Sequence, residues 1–219
     1  MISVVIPTYE EHESIPFLIR ELKKVLKTNF EIIVVDDSPD NRTVLVAGEV
    51  CRSLRIPYII KHRRKRGKGS AVIAGIKLSR ADIVAVIDAD LEYNPKYIPG
   101  MIKKLENSDV VTAVRVRRDP FYRQLLAKCF HFLVKILYSI DFDTQSGLKV
   151  FRKSRIKNIR IVTEGWTWDV EFLYKCMKKG LRIRTHRINY HSRRFGNSKI
   201  NILTPLTMFF EIIRLRFKI

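Results

Sequence analysis

Ile83-Val84-Ala85-Val86-Ile87-Asp88-Ala89-Asp90-Leu91-Glu92 is a run of core-type residues that stops at two aspartates one residue apart. A short apolar run rich in Val and Ile reads as a strand covered on both faces. Ligands of open α/β sheets bind outside the carboxyl ends of the strands, so chemistry is expected where this run stops. Side chains alternate along an extended chain, which turns Asp88 and Asp90 the same way, with Glu92 following if strand geometry persists. Three carboxylates in one small volume repel one another unless a cation holds them ionised, and Mg²⁺ or Mn²⁺, which take oxygen ligands, is the expected cofactor. The bland alternative is a pair of solvated turn aspartates.

Upstream, Ile2-Ser3-Val4-Val5-Ile6 is a strand stopped by Pro7, with Thr8-Tyr9-Glu10-Glu11 as a polar turn. Ser14 is the expected N-cap of a helix carrying Ile15, Leu18, Ile19, Leu22, Val25 and Leu26. Glu31-Ile32-Ile33-Val34-Val35 is a second buried strand that also ends in a carboxylate pair, Asp36-Asp37. Residues 42–54 read as a helix, Tyr58-Ile59-Ile60 as a strand and 70–78 as a helix. Past the Asp88 strand come a helix opened by Pro95 and a strand, Asp109 to Val114, ending at Arg115. Such alternation predicts an α/β fold, a mostly parallel central sheet with helices on both faces.

The 219 residues suit one large domain or one domain with an appendage. Lys+Arg 42 against Asp+Glu 22 gives a net charge of +20, which calls for anionic partners: nucleotide phosphates, nucleic acid or an acidic membrane surface. Cys51, Cys129 and Cys176 lack metal-type spacing and fit a reduced, cytoplasmic setting. No apolar run reaches the roughly 18 residues of a spanning helix, and Met1 leads straight into a strand. The expectation is a soluble protein, or one peripheral on a membrane surface.

Lys61 to Ser70 is a basic stretch containing Gly67, Lys68 and Gly69. Two readings stand: a solvated basic loop, or one whose glycines and following helix N-terminus hold a diphosphate. It is not a Walker loop, because both the glycine spacing and the ending differ. Tyr122 to Ile140 keeps helical period with extra Phe residues and reads as core first and bilayer interface second. Residues 200–219, apolar and ending in Arg214, Arg216 and Lys218, read as an amphipathic segment able to dock on anionic lipid, set apart from a catalytic domain over 1–199.

In order, Pro7-Thr8-Tyr9-Glu10-Glu11, Val34-Val35-Asp36-Asp37-Ser38-Pro39-Asp40, Gly67-Lys68-Gly69-Ser70-Ala71 and Asp88-Ala89-Asp90-Leu91-Glu92 resemble successive motifs of family 2 glycosyltransferases with the GT-A fold. Asp143-Thr144-Gln145-Ser146-Gly147-Leu148-Lys149-Val150-Phe151, Gly165-Trp166-Thr167-Trp168-Asp169-Val170-Glu171 and Arg194-Phe195-Gly196-Asn197-Ser198-Lys199 look like the dolichyl-phosphate mannose and glucose synthase branch. Family members often carry Asn where Glu10 stands and Gln where Glu92 stands. The resemblance implies an inverting transfer of a hexose from GDP-mannose or UDP-glucose to a polyprenyl phosphate at the cytoplasmic membrane face. It implies that Asp36 or Asp37 meets the nucleotide base beside Pro7 and Tyr9, and that Asp88, Asp90 and Glu92 face the metal. Substrate contacts then fall to Glu11, Lys68, Gln145, Trp166, Asp169, Glu171, Arg123, Ser198 and Lys199. Asp90, Asp143, Arg115 and Arg194 stand nearest the reacting groups.

The acceptor decides what else is needed. A sugar hydroxyl requires a general base, for which Asp143, Asp169 and Glu171 are candidates, whereas a lipid phosphate is already largely anionic and needs cations such as Arg115, Arg123, Arg193, Arg194 and Lys199. Trp166 and Trp168 read most simply as core or cleft wall; with no further tryptophan, the Gln-x-x-Arg-Trp motif of processive synthases is absent. Three rivals remain: a transferase of the same fold acting on a saccharide hydroxyl, a nucleotidyltransferase and a nucleic-acid-binding protein. The second lacks its Gly-rich stretch after the first strand. The third lacks a stacking platform of interleaved aromatics, so no nucleic-acid partner is expected.

Overall fold

The computed structural model describes residues 1–27, 29–64, 67–116, 121–189 and 204–218, without the side chains of 121–123 and 204–206. In chain order it runs β1 (Ile2–Thr8), α1 (Ile15–Leu26), β2 (Phe30–Asp36), α2 (Arg42–Ser53), β3 (Tyr58–His62), α3 (Lys68–Leu78) and β4 (Ile83–Val86). The second half adds α4 (Ile98–Lys104), β5 (Val110–Val116), α5 (Phe121–Tyr138), β6 (Lys149–Arg152), α6 (Lys153–Ile156), α7 (Trp168–Lys178), β7 (Ile183–Asn189) and α8 (Thr204–Arg216).

Seven described strands form one sheet in the order β3-β2-β1-β4-β6-β5-β7. All neighbouring pairs are parallel except the two that involve β6, which runs antiparallel between β4 and β5. The expected α/β class, mostly parallel with helices on both faces, is what forms. Because both faces are covered, successive residues of one strand enter different cores: Val4 and Ile6 of β1 pack with α1, α2 and α4, while Val5 packs with α3 and α7. α3 lies so close that a Cβ on Gly75 would stand 2.3 Å from Val5 Cγ1.

The chain leaves β1 towards β2 on one side and later returns to β4 on the other, so a switch point opens at the carboxyl ends of β1 and β4. Three sequence expectations change here. The Asp88 strand ends at Val86, and Leu91 takes φ 63, so strand alternation does not carry on to Glu92. Ser14 stands at the N-cap of α1 without capping it; its hydroxyl donates instead to Glu11 Oε2 at 2.7 Å. The described part of the C-terminal segment is no loose appendage: Met208, Ile212 and Leu215 of α8 are buried in the second core, and Tyr138 Oη donates to the Ile212 carbonyl at 2.6 Å. α5 divides between its two readings, with Phe130, Val134 and Tyr138 inside and Phe132 and Ile136 outside.

Candidate active site

Parallel register sets Thr8 opposite Asp36 and Asp36 opposite His62, so three polar side chains stand in a row at the rim of β1, β2 and β3. Asp36 is fully buried; Thr8 Oγ1 and Ser38 Oγ donate to its Oδ1 at 2.8 and 2.7 Å. Among the described residues its Oδ2 receives no hydrogen bond, and His62 Nε2 lies 3.7 Å away. Burial raises the Asp36 pKa against the pull of Ser38 and Thr8. Asp37 is clasped by Arg63, Nε to Oδ1 at 2.6 Å and Nη2 to Oδ2 at 3.2 Å. Above the row lies a cavity of about 490 Å³ lined by Tyr9, Asp37, Ser38, Pro39, His62, Arg63 and Arg64. Pro7 sits within β1 opposite Val35, and the Glu11 carboxylate is engaged by Ser14 rather than turned to this cavity's lining.

The glycine loop serves a different end from the one its sequence suggests. Gly67 takes φ 105, and a Cβ there would stand 2.5 Å from the Glu164 carbonyl oxygen. A Cβ on Gly69 would meet the Thr163 carbonyl oxygen and Trp168 Cβ, each at 2.6 Å. Gly69 N donates to the Gly165 carbonyl at 3.2 Å and Ser70 N to the Glu164 carbonyl at 3.1 Å. The glycines therefore admit the chain's own 163–165 segment, and that segment takes N–H groups at the start of α3 that a diphosphate would have used. What remains for an anion is the side chain of Lys68. Its Nζ donates to Asp88 Oδ2 at 2.8 Å and lies 5.5 Å from the centre of the Trp166 ring. Trp166 is 37% exposed beside Lys68, while Trp168 is core.

Asp88, Asp90 and Glu92 do not converge as three. Among the described residues no group of three or more His, Cys, Asp or Glu side chains could hold a metal ion. The turn after β4 separates them, and Glu92 N donates to Asp90 Oδ1 at 3.1 Å. Asp88 rests against Gly147, where a Cβ would fall 1.8 Å from its Oδ2. Oxygen donors from Asp88 and Asp90 still suit Mg²⁺ or Mn²⁺, since such ions commonly take one or two carboxylates and complete their shell with water and substrate phosphate.

On the far side of Gly147, Arg115 Nε and Nη2 donate to Asp143 Oδ2 and Oδ1 at 2.6 and 2.9 Å, and Gln145 N donates to Asp143 Oδ1 at 3.1 Å. The Tyr93 phenol is hydrogen-bonded to the Gly147 backbone, and burial pushes its pKa up to about 12. Lys149, fully buried at the start of β6, donates to Asp169 Oδ1 and the Ser146 carbonyl and reaches the Thr144 carbonyl at 3.4 Å. Burial drives the Lys149 pKa down and the Asp169 pKa up, each against the pull of its partner. Glu171 is 0% exposed and accepts from Val162 N, Thr163 N and Lys175 Nζ. A substrate contact expected of Glu171 thus gives way to a structural one: it anchors the strap that crosses the glycine loop.

Five useful residues had no role assigned from the sequence: Tyr93, His62 and Arg63 within the basic stretch, and Gly147 and Lys149 within the Asp143–Phe151 motif. Lys149 carries a further signal, a charge inside the apolar run Leu148 to Phe151. Arg193, Arg194, Ser198 and Lys199, and the side chain of Arg123, lie outside the described residues.

The sequence model described as Glycosyl transferase family 2 matches residues 3–163. A dolichol-phosphate mannosyltransferase of Pyrococcus furiosus is 32% identical over 80% of this chain and 52% of its own length. A dolichyl-phosphate beta-glucosyltransferase of Dictyostelium discoideum is 30% identical, over 99% of this chain and 74% of its own. An undecaprenyl-phosphate 4-deoxy-4-formamido-L-arabinose transferase of Yersinia pestis is 29% identical, over 97% and 66%. The chain thus spans between about half and three quarters of these relatives. Among solved structures, glucosyl-3-phosphoglycerate synthase of Mycobacterium tuberculosis with Mn²⁺, UDP-glucose and phosphoglyceric acid superposes with a TM-score of 0.75 at 18% identity, covering 100% of this chain and 79% of that one. At that identity the likeness speaks for the GT-A fold alone.

Proposed function

The chain belongs to glycosyl transferase family 2, and from that premise we propose that it is an inverting transferase moving a hexose from a nucleotide diphosphate sugar to a polyprenyl phosphate. One observation carries the choice of acceptor. Each of the three carboxylates considered as a general base is already held by a cation: Asp143 by Arg115, Asp169 by Lys149 and Glu171 by Lys175. A saccharide hydroxyl needs such a base; a phosphate monoester does not. The three named relatives all carry a prenol-phosphate acceptor in their names.

The residues form a continuous line along which both substrates fit. The base and ribose occupy the cavity over Asp36, Asp37 and His62. Asp37 is tied to the next section, since its Oδ2 accepts from Gly67 N at 3.0 Å. There the diphosphate meets Lys68, and Asp88 and Asp90 are the residues that would hold Mg²⁺ or Mn²⁺. That ion, when bound, neutralises charge developing on the leaving nucleotide. Beyond Gly147, Asp143 holds the Arg115 guanidinium through Nε and Nη2 and so orients a cation towards the acceptor phosphate. Mannose and glucose donors both fit this scheme, mannose being favoured on the resemblance of the motifs.

The lipid end calls for a membrane surface. No described helix is long and apolar enough to cross a membrane. α5 and α8, which pack together, nonetheless expose Phe132 (64%) and Phe210 (71%), and Phe217 (86%) follows α8, with Lys135, Arg214, Arg216 and Lys218 among them. Apolar and cationic side chains interspersed in this way suit an anionic leaflet, and a polyprenyl phosphate lies in such a leaflet. We place this face on the cytoplasmic side, where nucleotide sugars are held.

Substitution separates the phosphate acceptor from a saccharide. Asp143→Asn, Asp169→Asn and Glu171→Gln are each expected to leave the acidic limb of the pH-rate profile near the phosphate's own pKa. Loss of that limb in any one of them, in a folded protein, would identify a general base and favour a hydroxyl acceptor.

A further inference from the structure

Lys68 is the cation that neutralises Asp88 here, and it stands where a diphosphate must pass. Both side chains are mostly buried, the Nζ to Oδ2 distance is 2.8 Å, and Gly147 fixes the carboxylate from the other side. We propose that Lys68 is a placeholder for the divalent ion: it holds Asp88 when no ion is bound, and it transfers to the donor diphosphate when the ion takes its place. The proposal rests on the metal reading of Asp88 given above.

The chemistry favours an exchange over a fixed salt bridge. A divalent ion at Asp88 repels an ammonium 2.8 Å from the same oxygen far more than it repels solvent. Lysine is a point charge on a flexible stem and can swing where a forked guanidinium could not. The direction is set by what surrounds it. The N–H groups of Gly69 and Ser70 are consumed by the 163–165 strap, and Arg63 at the same helix start is engaged by Asp37 and Ser70, so an incoming diphosphate finds the Lys68 ammonium offered there. Trp166, 5.5 Å away, gives the ammonium an aromatic face over which to move. Metal and donor then assist each other through one side chain, and the carboxylate never stands without a counter-charge.

The test is Mn²⁺ binding by electron paramagnetic resonance in the wild type, Lys68→Met, Lys68→Gln and Asp88→Asn, each with and without UDP or GDP. Without nucleotide, both Lys68 variants should bind Mn²⁺ about tenfold more tightly than the wild type, because a competing cation is gone; with Mn²⁺ saturating, they should bind the nucleotide about tenfold more weakly. Unchanged Mn²⁺ affinity in the Lys68 variants, while Asp88→Asn abolishes it, would overturn the exchange and leave the metal site standing. Undiminished Mn²⁺ binding in Asp88→Asn would remove both. A second measurement needs no variant: acylation of Lys68 in the wild type, read by mass spectrometry, should rise on adding Mg²⁺ alone and fall when UDP or GDP follows. Acylation indifferent to Mg²⁺ would contradict the proposal.

Discussion

Gly147 and Asp88 touch so closely that a single methyl group cannot be placed between them: a Cβ on Gly147 would fall 1.8 Å from Asp88 Oδ2. Loop 143–147 therefore sets the position of a carboxylate more than fifty residues away in sequence. It also joins the donor half of the site to the Arg115 half.

Gly147→Ala should accordingly push the Asp88 carboxylate off its place. Transfer is expected to fall by about two orders of magnitude, since a displacement of about an ångström at a reacting site costs that much. Melting temperature should fall only by a few degrees, as overpacking of this size costs about 1–3 kcal/mol. Steady-state kinetics and thermal melting check it; normal turnover would mean that Asp88 has no required position.

Lys149→Met should destabilise the fold by about 3–5 kcal/mol by stranding the buried Asp169 carboxylate. Lys149→Met combined with Asp169→Leu should recover most of that loss in denaturant unfolding. Turnover should not recover with it, because the Thr144 and Ser146 carbonyls have still lost the ammonium that anchors loop 143–147. Recovery of both together would make the pair purely structural.

Asp36 gives a pH dependence with a definite sign. Burial raises its folded pKa above the ordinary 3.8, so the folded state takes up a proton more readily than the unfolded one. Its contribution to stability is greatest in acid and is lost as pH rises from about 3.8 through the raised value. Asp36→Asn should therefore melt higher than the wild type at pH 7, with the difference shrinking below pH 4. It should also bind the nucleotide more weakly, having lost the acceptor charge beneath the cavity. Parallel melting curves across pH would contradict the burial account.

Four of the first five strands were legible as runs rich in Val and Ile that need cover on both faces, and β3, half-buried at the sheet edge, as the short apolar run Tyr58-Ile59-Ile60. β6 and β7 were not. β6 opens with a buried lysine, and β7, at the sheet edge, sets Arg184, Thr185, His186 and Arg187 in a row between Ile183 and Ile188, with mostly exposed side chains. The carboxylates at Asp36, Asp37, Asp88 and Asp90 were legible from their place after strands. Their partners were not, since Arg63, Lys68 and Gly147 meet them only through tertiary packing. Neither reading of Gly67 and Gly69 foresaw their packing for the same reason: the segment they admit lies near residue 164.

Exposed aromatic side chains test the membrane face without disturbing the core. Phe132→Glu with Phe217→Glu should keep the melting temperature within about a degree, as surface substitutions usually stay within about 0.5 kcal/mol. Sedimentation with anionic liposomes should fall severalfold and weaken further with salt. Truncating α8 is a poorer test, because Ile212 and Leu215 belong to the core. Unchanged sedimentation would assign this face to another partner.

The most direct measurement is incorporation of radiolabelled hexose into the lipid phase from GDP-mannose and from UDP-glucose, with polyprenyl phosphate or a free saccharide as acceptor. The account predicts label in lipid with one of the two donors, dependent on Mg²⁺ or Mn²⁺ and reduced by two or more orders of magnitude in folded Asp90→Asn. Label in the saccharide with none in lipid, or full transfer in the presence of a chelator, would contradict it.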